Sequence, residues 1–147
     1  MAMNMFKKYT ESLCREWPVP VGTQAGEVVL HPVSNQVGIT LTARGDSTRS
    51  ANIPGVTGGT IPNGGAGNKA NSATVAVDGS WLLTVPGTTA GDTNPATGTD
   101  GTAAGTKVYR TSAGALTLTE GSNTLVGVID DGVIVGTVAP VLIGAVL

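Results

Sequence analysis

The sequence predicts an all-β fold, a small sandwich or barrel with long Gly- and Thr-rich loops, and three observations carry that expectation. The apolar mass is Val, Ala, Leu and Ile, with aromatics only 3% of 147 residues. β-Branched and small side chains of this kind suit a pleated, half-buried surface. Short apolar runs alternate with period two, as in "QVGITLTA" and "SWLLTV", which is the mark of a strand with one buried face. Between these runs stand 22 glycines and 8 prolines, enough to punctuate many turns.

Residues 1–20 differ from the rest. Phe6, Tyr9, Leu13 and Trp17 recur at a spacing of three or four, so this segment reads as an N-terminal arm with helical spacing. Lys7 with Glu11 and Glu11 with Arg15 stand at i,i+4, where opposite charges support a helix modestly. Pro18 and Pro20 end it. The arm holds three of the chain's five aromatic residues. Residues 21–147 form the β-rich domain.

Within that domain, "GEVVLHPV" and "QVGITLTA" read as strands. Residues 44–72, rich in Gly, Asn and Pro, read as an extended loop with little to bury. Next come "SATVAV" and "SWLLTV" around Asp78-Gly79, a strong hairpin signal because both turn positions favour positive φ. A second polar loop covers 86–105. In the C-terminal block, "SAG" separates "TKVYRT" from "ALTLT", and "DDG" separates "NTLVGVI" from "VIVGTV"; both read as hairpins. The final run, "VIVGTVAPVLIGAVL", is too short for an unaided membrane helix and is interrupted by Pro140. It reads as a buried pair of strands. No apolar leader of the secretory kind opens the sequence.

The chemistry on offer is sparse. Eight Lys and Arg against ten Asp and Glu leave a net charge of −2, with no basic patch of the kind a nucleic acid requires. One His (His31) and one Cys (Cys14) assemble neither a catalytic triad nor a transition-metal cluster within one chain. Asp130 and Asp131 are sequence neighbours, which a strand would point to opposite faces. "GAGNKA" (65–70) has glycine spacing like a dinucleotide site, but it neither follows a strand nor opens a helix. "DTNPATGTDG" (92–101) breaks the spacing of a calcium loop and lacks its closing Glu. "RGD" at 44–46 is ordinary turn chemistry as well as an adhesion tripeptide. The expectation is a non-enzymatic protein with no cofactor and no metal.

The C-terminal block, "AAGTKVYRTSAGALTLTEGSNTLVGVIDDGVIVGTVAPVLIG" (103–144), resembles the bacteriophage capsid cement, or head decoration, proteins. The matching elements are Ala104 to Tyr109, Gly114 to Thr117 and, most distinctively, Asn123-Thr124-Leu125-Val126-Gly127-Val128. "QAGEVVLHPVSNQVGITLTA" (24–43) is similar to the family's opening, and "ATVAVDGSWLLTVPG" (73–87) to its next strand pair. The chain departs from the family in Thr106, where an Asp is usual, in the longer 44–72 loop and in residues 1–20. The resemblance implies a structural protein on the outer surface of the virion. It would bind the major capsid protein of the expanded head, commonly as a trimer, and touch neither nucleic acid nor membrane. Candidate partner-binding residues are the arm's Phe6, Tyr9, Leu13 and Trp17, since aromatics dominate interface hot spots, and the loop cations Arg44, Arg49 and Lys69. Two alternatives stand beside this reading: the arm packs on its own β core, or the protein is an adhesin that binds a receptor or glycan through the 44–72 loop.

Overall fold

The computed structural model describes residues 5–7, 14–50, 54–55, 57, 60–63, 68–94 and 101–144. Among these the fold is all-β, as the composition and alternation predict. The strands are β1 (Met5–Lys7), β2 (Cys14–Pro18), β3 (Val28–Leu30), β4 (Val37–Thr40), β5 (Asp46–Ser50), β6 (Thr60–Asn63), β7 (Ser72–Ala76), β8 (Gly79–Thr84), β9 (Gly91–Asp92), β10 (Lys107–Arg110), β11 (Leu116–Thr117), β12 (Thr124–Ile129), β13 (Val133–Ile134) and β14 (Val138–Ile143). They group into two compact units, Leu13–Val77 and Asp78–Leu147, the second completed by β1. The division of the main body falls between Val77 and Asp78.

In the first unit an antiparallel sheet runs β2-β7-β4-β3. Trp17 lies opposite Ala73 on β7, and Val29 opposite Gly38. Trp17, Val19, Val29, Ala73, Val75 and Val77 form one buried apolar cluster. Gly38 makes room for it: a Cβ there would run into the Val75 side chain and crowd the Trp17 ring. Residues 44–72, expected as a loop, hold a second antiparallel pair in which Arg49 faces Ile61 and Ser50 faces Thr60. Pro54-Gly55 lies between these strands, with Gly55 at φ +78. Proline followed by a glycine of positive φ is turn chemistry that suits a chain reversal.

In the second unit a six-stranded sheet runs β1-β8-β14-β12-β10-β11. β8 and β14 pair over six positions, among them Trp81 with Val141 and Leu83 with Ala139; all four side chains are buried. The "SAG" hairpin forms, with Arg110 opposite Leu116. Across β12, Val108 pairs with Gly127 and Tyr109 with Leu125, so Val126 is the extra residue of a β-bulge. A Cβ on Gly127 would run into the backbone carbonyl of Leu142. The most distinctive glycine of the C-terminal motif is therefore required by a close approach of two strands.

Two local expectations are corrected. Asp78-Gly79 does not close a hairpin: β7 pairs with β2 and β4, while β8 pairs with β14 and β1. Gly79 does take a positive φ of 96°, but it joins the two units. "DDG" does not close a hairpin either, because β12 pairs with β10 and β14, and β13 pairs with β9. The reversal comes later, at Gly136 (φ +62), where Val135 and Val138 exchange two backbone hydrogen bonds of 3.0 Å. Pro140 lies buried within β14. The register opposes it to Asp130, whose N–H donates to the Pro140 carbonyl at 2.8 Å. Proline has no N–H to return that bond. The Thr93 hydroxyl donates to the Asp130 carbonyl instead, at 3.0 Å.

Candidate functional site

Five of the seven residues expected to grip a partner lie among the described residues. Phe6 lies in β1, a strand rather than a helix. Tyr9 and Leu13 lie outside the described residues. Trp17 likewise stands in a strand rather than in the helix its spacing suggested. It sits in β2, where Cys14, Arg15, Glu16 and Pro18 are exposed and Trp17 alone points inward, leaving 3% of its surface accessible. An indole so placed is core. Its ring meets His31 edge-on, with centroids 5.2 Å apart and planes at 76°, the geometry that the ring quadrupole favours.

Arg44 is drawn into the framework of the first unit. Its Nε–H donates to the Val19 carbonyl at 3.0 Å and an Nη2–H to Asn71 Oδ1 at 2.7 Å. The backbone reinforces this link: Val19 N–H donates to the Asn71 carbonyl, Arg44 N–H to the Thr23 carbonyl and Gly45 N–H to the Ser72 carbonyl. The arginine and glycine of the 44–46 tripeptide thus tie the segment after β2 to the start of β7. Arg49 lies in β5 opposite Ile61. Lys69 is exposed, and its backbone N–H donates to Glu16 Oε2 at 3.2 Å. Beside it a buried amide network joins Asn68 Nδ2–H to Thr42 Oγ1 and Thr74 Oγ1–H to Asn68 Oδ1, each at 3.0 Å. Of the expected set, the structure brings Trp17, Arg44 and Lys69 around the β2–β7 pair, and there they hold strands together.

His31 is equally local. Its Nδ1 accepts from the Ser34 N–H at 3.1 Å and lies 3.0 Å from the Ser34 hydroxyl, which orders the turn between β3 and β4. Among the described residues no group of three or more His, Cys, Asp or Glu is placed to hold a metal ion. No helix among them is long and apolar enough to cross a membrane.

What the sequence reading missed is apolar surface. Val133, Val135 and Val138 are 56%, 72% and 38% exposed, and they flank the Gly136 reversal. All three lie in the run expected to be buried. The alternation is real, since Ile134, Ala139, Val141 and Ile143 are inward, but it spans a reversal that "VGTV" signals only through one glycine. No family model, curated protein or solved structure matches the chain.

Proposed function

We propose that this protein is a non-enzymatic decoration protein of a phage head, which binds the outer surface of the expanded shell and stabilises contacts between major capsid subunits. The observation that carries the reading is the 103–144 motif series. Its three matching elements fall on β10, β11 and β12, with β10 paired to both of the others, and its glycine is needed at a backbone crossing. Two physical points agree with it. The exposed valines around Gly136 offer the second unit apolar contact surface of the kind associated with partners. A small β module makes a limited contact, but many copies over a shell stabilise the expanded form by linkage, since they bind that form alone. In this reading the copies act as trimers on the shell.

The test is co-sedimentation of the full chain with expanded shells lacking decoration protein, beside a Val133→Ser, Val135→Ser variant. The expected result is that the unmodified chain pellets and the double variant, equally folded, stays in solution. No pelleting of the unmodified chain would overturn the reading, and binding to cells or glycan without a shell would favour an adhesin.

A further inference from the structure

We infer that the edge of β8 is an exchange site, at which strand β1 of a second copy of this chain replaces the chain's own β1. The structure itself says what fits this edge. Met5 pairs with Trp81 and Lys7 with Ser80, with a register shift between them. On its other side β8 is held by β14 over six positions. Among the described residues β1 is therefore the short outer partner of a strand anchored on its inner side.

Three features make this partner exchangeable. First, the pairing is not local. Between β1 and β8 the chain passes through roughly seventy residues, including every strand of the first unit. A hairpin turn fixes pairing within one chain, whereas closure of so long a loop gives its own strand little entropic advantage over another copy's. Second, β1 belongs to the second unit while the next strand, β2, belongs to the first. β2 is fixed by five register pairs with β7 and by buried Trp17. It remains in place as a pivot when β1 leaves. Third, only six residues separate Lys7 from Cys14 in sequence. An exchanged strand makes the same backbone bonds as the resident one, so the balance rests on concentration. Reciprocal exchange closes a two-fold dimer, and one-way exchange links copies in series. The inference does not depend on the capsid reading and is tested without a shell.

The experiment mixes two full-length chains, both carrying Cys14→Ser, one with Lys7→Cys and the other with Ser80→Cys, and oxidises them over a range of concentrations. Residues directly opposite in an antiparallel pair lie within disulfide range. The expected product is a disulfide heterodimer whose fraction rises with concentration. A single chain carrying both cysteines is the control for competence. If that chain closes on itself and the mixture gives no heterodimer at any concentration, the inference is overturned. Should the cysteine chains fail to fold, light scattering of the unmodified chain against Phe6→Pro decides. A two-fold rise in mass at high concentration that Phe6→Pro abolishes supports exchange. A constant monomer mass, or a dimer that Phe6→Pro leaves intact, refutes it.

Discussion

Replacing Trp17 by Ala separates a core indole from an exposed anchor. Trp17 is 3% exposed and packs with Val19, Val29, Ala73, Val75 and Val77. A buried tryptophan hides about 150–250 Å², which at about 25 cal/mol per Å² is about 4–6 kcal/mol of transfer free energy. Alanine keeps a small part of that, and measured Trp→Ala losses in cores run about 3–5 kcal/mol. A unit of the size of Leu13–Val77 has a total stability of about 3–10 kcal/mol. The substitution therefore removes about three-tenths of the unit's stability at the least, and up to all of it. The assay is urea unfolding followed by amide exchange in β2 and β7, with emission from Trp81, the remaining tryptophan, read alongside. Exchange in β7 should rise by two to three orders of magnitude, since each ~1.4 kcal/mol is a factor of ten. If β7 exchange and the urea midpoint stay unchanged while binding to a shell disappears, Trp17 is an exposed anchor and the burial argument fails.

Three more outcomes follow from the packing. Thr93→Val deletes the hydroxyl that donates to the Asp130 carbonyl and accepts from the Gly132 N–H at 2.8 Å. The expected cost is about 2 kcal/mol, read as a lower denaturation midpoint, and Thr93→Ser should recover most of it. Gly127→Ala drives a methyl into the Leu142 carbonyl; because that neighbour is backbone, the loss should reach about 3 kcal/mol, with exchange rising in β12 and β14. Ser80 is fully buried and its Oγ has no hydrogen-bond partner among the described residues. Ser80→Ala should therefore raise stability by about 1 kcal/mol, and a drop would show that the hydroxyl is satisfied in solution.

The fold class was legible because it rests on composition and period. Val37-Gly38-Ile39 and Trp81-Leu82-Leu83 alternate, and both became strands. The site was less legible. Phe6, Tyr9, Leu13 and Trp17 repeat every three or four residues, yet β2 buries just one side chain of its five. With one inward residue, period two has nothing to repeat, and a chance helical spacing dominated the reading. Arg44 misled for another reason. A loop cation suggests a partner, but its acceptors, the Val19 carbonyl and Asn71, lie 25 and 27 residues away in sequence. No local pattern announces such a tie.

The hairpin that failed at Asp78-Gly79 shows which level of description decides topology. Turn chemistry specifies a backbone conformation, and Gly79 adopts it, with φ at +96°. It does not specify which strands meet. Trp81 and Leu83 on β8 fall in register with Val141 and Ala139 on β14, so four buried apolar side chains share one face. On β7, Ala73 and Val75 share theirs with Trp17 and, in the same buried cluster, Val29. A local hairpin would have matched β7 to β8 and given up both of these. Each buried side chain of this size contributes on the order of 1–3 kcal/mol, whereas the loop-closure advantage of a short turn grows only logarithmically with the length it saves. Two well-matched long-range faces outweigh one favourable turn, and the Asp-Gly pair is left as the joint between the units.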